Sequence, residues 1–160
     1  MLRFVVAAVA LALALPAVAA ADPVAPQPGT SCGANLGDAM TWPPDGTAPL
    51  VCAGEPAGYQ WTTVDSPYPV SDRWVSLGPP MKLHGEGLRN ASIQSGDWTA
   101  TPLDPDARCG AEQIAVIPGV GAGPPHDSEG EPGQPLSLQV VPKLFSIEMT
   151  GDCLWQRVNP

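Results

Sequence analysis

From residue 58 onward, apolar residues come in short runs separated by glycine, proline and polar turn formers. Within the runs they recur at every second position rather than at helical spacing. Nine runs are legible: GYQWTTV (58–64), DRWVSLG (72–78), MKLHG (81–85), LRNASIQ (88–94), DWTATPL (97–103), AEQIAVI (111–117), PLSLQVV (135–141), LFSIEM (144–149) and CLWQRV (153–158). Most are rich in β-branched or aromatic residues and bounded by turn signals, which is how half-buried strands read. The alternation is clearest late, where Leu136, Leu138 and Val140 share one face and Phe145, Ile147 and Met149 share another. Evenly spaced short strands predict a mainly β chain: a single antiparallel domain of eight or nine strands, built as a sandwich or barrel-like fold and stapled by disulfides.

Two turns look well determined. QSGDW sets Ser95, Gly96 and Asp97 between two strand patterns, and TGD (150–152) sets Gly151 before Cys153, so both predict tight hairpins. The second makes 144–149 and 153–158 a terminal hairpin. On its last strand Cys153, Trp155 and Arg157 share one face, with Leu154, Gln156 and Val158 on the other. A cysteine and a tryptophan are unusual in a fraying tail. The pattern therefore predicts that 153–158 is a core strand, with Trp155 covering a disulfide at Cys153.

Three stretches depart from strand patterning. Residues 22–31, DPVAPQPGTS, read as a proline-rich, extended and mobile arm. Between Cys32 and Cys52 the sequence predicts one short helix over 34–40 and then a Pro-Pro loop. PGVGAGPPHDSEGEPGQP (118–135) has no apolar anchor after Val120 and predicts a long, mobile acidic loop.

The opening segment changes the picture of where such a domain lives. MLRFVVAAVALALALPAVAAADP carries Arg3, an uncharged apolar run over 4–15, the breaker Pro16 and small residues up to Ala21. That order predicts a secretory signal peptide, 1–21, cut after Ala21. The run falls short of the ~20 apolar residues that a spanning helix needs, so no stable membrane anchor is expected after cleavage. Trimming leaves 160 − 21 = 139 residues, and 32–160 then forms a single β domain. With Arg3 gone, six Lys and Arg face sixteen Asp and Glu, a charge of 6 − 16 = −10. Such a surface repels phosphate backbones and anionic lipid heads, which argues against nucleic acid and membrane partners.

Four cysteines remain in the exported part, an even number that reads as disulfides in an oxidising compartment. Their gaps of 20, 57 and 44 residues lack the close pairs that zinc sites use. Closing nearer partners is entropically easier, which predicts Cys32 with Cys52 and Cys109 with Cys153.

Candidate chemistry is sparse. No serine elbow, zinc-binding H-E-x-x-H, phosphate loop or dinucleotide fingerprint occurs, and no cofactor or metal is implied. His84 in LHGEG has no matching serine motif and reads as a strand-end histidine. Asp104 and Asp106 in LDPDARC have a calcium-like spacing that an Asp-Pro-Asp turn capped by Arg108 explains as well. His126, Asp127, Glu129 and Glu131 form an acidic cluster in the predicted loop, and Asn90 heads an N-A-S sequon. Of five tryptophans, Trp61, Trp74, Trp98 and Trp155 lie in strand patterns and read as core. Trp42, beside Pro43 and Pro44, does not, and it is the residue the sequence offers as a binding contact.

The AAADP ending of the signal, the four cysteines and the runs DRWVSLGP, DWTATPLDPDARC, QPLSLQVVPKLFSIEM and GDCLWQRV resemble the small exported proteins of mycobacteria and related actinobacteria that have no assigned activity. The resemblance implies export and an envelope setting and supplies no catalytic residues. The expected function is non-enzymatic binding of a protein or glycan at the envelope or outside it. A secreted protease inhibitor is the alternative, and an enzyme with a motif-free site the third.

Overall fold

The computed structural model describes residues 25–159. The expected signal peptide, its cleavage point and the first residues of the arm lie outside them. Among these residues eleven strands form rather than the eight or nine expected, in chain order β1 (Met40–Thr41), β2 (Leu50–Glu55), β3 (Gly58–Thr63), β4 (Arg73–Ser76), β5 (Met81–His84), β6 (Gly96–Pro102), β7 (Gly110–Ile117), β8 (Gly121–Glu129), β9 (Leu136–Val140), β10 (Leu144–Thr150) and β11 (Cys153–Arg157). They make two sheets: a seven-stranded one in the order β3-β2-β1-β4-β11-β6-β9 and a four-stranded one in the order β5-β10-β7-β8. All pairings are antiparallel except β1 with β4, which meet at Met40 and Trp74. From β4 on, the chain repeatedly changes sheet, so neighbours in sequence are seldom neighbours in a sheet.

One buried cluster draws on both sheets. Trp74, Trp98, Trp155, Leu138 and Val140 come from the larger sheet, and Met81, Leu83, Ala111, Ile147 and Met149 from the smaller. Each large ring removes ~150–250 Å² from water, worth about 4–6 kcal/mol. Its one polar atom must then be satisfied inside. Trp74 Nε1 donates to Ser71 O at 3.2 Å, Trp98 Nε1 to Gln94 O at 3.0 Å and Trp155 Nε1 to Ser76 Oγ at 2.9 Å. A second cluster of Leu36, Ala39, Leu50, Cys52, Trp61, Val75 and Leu154 covers the other face of the larger sheet. Val75 beside Trp74, and Leu154 beside Trp155, show that the sheet's centre is buried on both sides. β11, between β4 and β6, is thus an interior strand.

The structure joins Cys32 to Cys52 and Cys109 to Cys153, with Cα separations of 6.0 and 5.9 Å. The second bridge ties the start of β7 in one sheet to the start of β11 in the other. Cys109, Cys153 and Trp155 all belong to the inter-sheet core.

Several sequence expectations need correction. Residues 88–94 are not a strand but part of the connection from β5 to β6, so QSGDW closes no hairpin. Asn90 is left-handed at φ 60°, Ser92 N donates to His84 O, and Ile93 is fully buried as a plug. The TGD turn does not pair its flanking strands either, because β10 and β11 lie in different sheets. Gly151, at φ 83°, turns the chain where a Cβ would strike the Arg108 carbonyl. Half of the expected acidic loop 118–135 is β8, whose backbone pairs with β7 from Gly110–Glu129 to Ile117–Gly121. Pro124 and Pro125 sit on this edge strand, where missing donors are tolerated and the open edge is blunted. Within the arm, Gly29 N donates to Trp61 O at 2.8 Å and Trp61 N to Thr30 O at 2.9 Å, so residues 29–31 are docked along β3 rather than mobile. The helix over 34–40 shrinks to a single 3-10 turn, Ala34–Leu36, and the region expected to be irregular supplies β1 and β2. A bulge between Leu144 and Ser146 puts Leu144, not Phe145, in the core with Ile147 and Met149.

Candidate functional site

Trp42 follows β1 directly and is half-buried, whereas Trp61, Trp74, Trp98 and Trp155 are at most 4 % exposed. Its backbone N–H reaches Met81 Sδ at 3.4 Å, and its indole N–H donates to Gly46 O at 3.2 Å across the Pro43–Gly46 turn. The ring is thereby fixed at both ends. The Tyr68 ring packs against it in a T-shaped arrangement at 5.4 Å between centroids and 84° between planes, within the usual range for aromatic pairs. Tyr68 Oη donates to Thr47 O at 3.2 Å, so the second ring is also tethered.

Two connections complete a cleft around this pair. Residues 64–72 bring Pro67, Tyr68 and Val70, the last two being 38 % and 44 % exposed. Residues 85–95 bring Arg89, Asn90, Ala91 and Ser92. Ser71 N donates to Ser92 O at 3.1 Å and joins the two connections. Gly87 lies so close to the carbonyls of Lys143 and Leu144 that a side chain there would lift the second connection off the smaller sheet. Farther along it, Glu86 Oε2 accepts from Ser95 N at 2.8 Å. Hydrogen bonding from the Ser95 side chain first, and from this backbone N–H second, holds the Glu86 carboxyl below its ordinary value against an opposing effect of burial, with the positive charge of Arg157 adding least.

The cleft has two adjoining hollows. The larger, of about 470 Å³, is lined by Trp42, Tyr68, Val70, His84, Arg89 and Asn90 among others. The smaller, of about 220 Å³, is lined by Trp42, Lys82, His84 and Ser92. Trp42, His84 and Ser92 are common to both. Lys82 and His84 project from the outward face of β5, whose burial alternates strictly. The larger hollow falls within the ~300–1,000 Å³ typical of small-ligand sites, with aromatic walls and a few polar groups to set orientation.

The remaining candidates do not converge on it. Asp104 Oδ1 accepts from the backbone N–H groups of Asp106 and Ala107, at 2.9 and 2.8 Å, so it closes its own turn. Arg108 pairs with Glu129 at 2.9 Å, not with Asp104 or Asp106. His126, Asp127 and Glu129 are exposed along β8, and Glu131 follows it. Among the described residues, no three His, Cys, Asp or Glu side chains are grouped to hold a metal. Asn90 heads its sequon on the rim of the cleft. Sequence reasoning singled out Trp42 but missed Tyr68, Val70, Lys82 and Arg89. A tyrosine between prolines in SPYP was the only local hint.

No protein-family model, curated protein or solved structure matches the chain.

Proposed function

We propose that this is a secreted, non-enzymatic β-sandwich that binds a glycan through the Trp42 cleft, at the cell envelope or outside the cell. The observation that carries the reading is the tethered Trp42–Tyr68 pair on an open, polar-rimmed cleft. Flat aromatic rings offer sugars an apolar contact, and because the indole N–H is already committed, what remains of the Trp42 surface is its apolar part. Two disulfides suit an oxidising compartment, and no helix among the described residues is long and apolar enough to cross a membrane. The signal-like segment 1–21 supports export. On this reading the protein belongs with the small exported actinobacterial proteins that its runs resemble.

Catalysis is a weaker reading of the same cleft. Hydrolytic triads need a base oriented by a third group. Among the described residues, His84 makes no side-chain hydrogen bond to Ser66 or Ser92, and no carboxylate lines either hollow. Protease inhibition would draw on a loop braced by an accessible disulfide, whereas Cys109–Cys153 is fully buried and the half-exposed Cys32 is bridged to Cys52, a buried residue within strand β2.

Calorimetric titration of wild type and Trp42→Ala with a panel of oligosaccharides tests the proposal. Binding by wild type that weakens at least tenfold in Trp42→Ala is expected. Equal binding by both proteins would overturn it.

A further inference from the structure

Resting on the glycan reading, we infer that the cleft selects sugars bearing an acidic group, a uronate carboxylate being the chemistry that fits. The chain carries sixteen Asp and Glu against seven Lys and Arg. The hollow beside Cys32 and Trp61 holds no charged residue of either sign, but the one between β7, β8 and β10 follows the chain's acidity and holds Glu112, Asp127, Glu129 and Glu148 around Arg108. The Trp42 cleft is the reverse. No Asp or Glu lines either hollow, whereas Arg89 lines the larger, Lys82 the smaller, and His84 both.

These cations are not spent elsewhere. The two ion pairs among the described residues use Arg108 and Arg157, and Arg73 donates to Asn35 O at 2.7 Å. Lys82 faces Glu148 across the β5–β10 ladder but lies beyond ion-pair distance of it. Arg89 has no side-chain partner among the described residues. Lys82 and Arg89 are both exposed and line adjoining hollows that share Trp42, His84 and Ser92, so an anion seated beside the aromatic pair is attracted by both. Arg89 presents a planar fork suited to a carboxylate, and Lys82 a mobile point charge. An aromatic pair for the sugar ring with flanking cations for its acid therefore describes an acidic saccharide better than a neutral one. Peptide carboxylates offer the charge without the ring.

The test uses trimers of galacturonate, glucuronate and mannuronate, each paired with its methyl ester, which keeps shape and removes charge, and poly-glutamate of matched charge. Calorimetry at low and high salt is run on wild type, Trp42→Ala, Lys82→Gln, Arg89→Gln and, as a cation outside the cleft, Lys143→Gln. The inference expects at least one acidic trimer to bind about tenfold or more tighter than its ester. The advantage should shrink about tenfold for each cleft cation removed, fall with salt and persist in Lys143→Gln. Acid and ester binding alike, with both lost in Trp42→Ala, would overturn the charge selection and leave the glycan reading standing. Poly-glutamate binding as tightly as the best trimer would overturn the inference by making the sugar irrelevant. Failure of every trimer and ester would overturn the inference, and the glycan reading falls with it only where the wider oligosaccharide panel shows no binding that Trp42→Ala weakens.

Discussion

Removing the Cys109–Cys153 bridge asks how much of the sandwich depends on the tie between its sheets. The bridge closes a separation of 44 residues, and the chain-entropy relation assigns such a loop about 4 kcal/mol. A domain of 135 described residues (25–159) is expected to have a total stability of about 7–20 kcal/mol, so one bridge is a substantial share. With an unfolding entropy of about 0.28 kcal/mol/K for this size, the loss corresponds to about 14 °C in melting temperature. Cys32–Cys52, closing 20 residues, is worth about 3 kcal/mol by the same relation, a difference too small to separate the two by entropy alone. Burial widens it. Cys109 and Cys153 are fully buried beside Trp155 in the inter-sheet core, whereas Cys32 is half-exposed. Replacing the inner pair by alanine removes packed sulfur as well as the tie. Differential scanning calorimetry of Cys109→Ala/Cys153→Ala and Cys32→Ala/Cys52→Ala should show both melting well below wild type, the first lowest. A melting temperature for the inner double variant within about 3 °C of wild type would refute the reasoning.

Gly151→Ala should lose about 2–4 kcal/mol in urea denaturation, because its backbone sits at φ 83° and the added methyl meets the Arg108 carbonyl; a loss under about 0.5 kcal/mol would contradict it. Glu86 has a folded pKa below its ordinary 4.5, so its contribution is complete above the unfolded value and disappears as pH falls through the lower folded one. Hydrogen exchange at the Ser95 amide, normalised for intrinsic rate, should therefore speed up on acidification below that range in wild type and show no such step in Glu86→Gln; matching profiles would reject the linkage. Arg157→Gln should lower the affinity of whatever sugar the wild type binds several-fold, although Arg157 lines neither hollow. Unchanged affinity together with unchanged exchange in residues 85–95 would show that the arginine does not hold the site.

What was legible in the sequence is what a two-residue period and local turn chemistry encode. Leu138 and Val140, Ile147 and Met149, and the two-faced strand of Cys153, Leu154 and Trp155 bury as their alternation implies. β8 was not legible because both its faces are largely exposed and its residues are Gly, Pro and acids. It is a strand only through the backbone of β7, which composition does not report. Residues 88–94 erred the other way, since Ile93 is apolar to plug a connection and not to line a sheet. The TGD turn reverses the chain as its residues suggest, but no local signal says whether reversed strands pair or enter opposite sheets. That ambiguity also hid the cleft. Trp42 declared itself by its proline neighbours, while Tyr68, Lys82 and Arg89 meet it only because β1 pairs with β4 in one sheet and packs against Met81 on β5, the edge strand of the other.

That strand order also explains why the last strand bears on a cleft it does not line. β4 and β6 both run antiparallel to β11, one on each side, so their opening residues flank its far end: Arg73, the first residue of β4, lies opposite Gln156, and Trp98, the third of β6, opposite Arg157. The connections entering β4 and β6 are residues 64–72 and 85–95, the two that shape the cleft. A long cationic side chain at the end of β11 therefore has both within reach. Arg157 uses its fork accordingly, with Nη1 donating to Gln94 Oε1 at 2.6 Å and reaching Asp72 Oδ1 at 3.4 Å, and Nη2 donating to Ser95 O at 3.1 Å. Its backbone N–H donates to Asp72 O at 2.9 Å. A lysine, whose three donors sit on a single nitrogen, lacks the two separate nitrogens by which Arg157 reaches Gln94 and Asp72 through one and Ser95 through the other. The strand that Cys153 staples into the core thus carries, four residues on, the clamp on both walls of the candidate site, and the cleft takes its shape only when that strand is seated between β4 and β6.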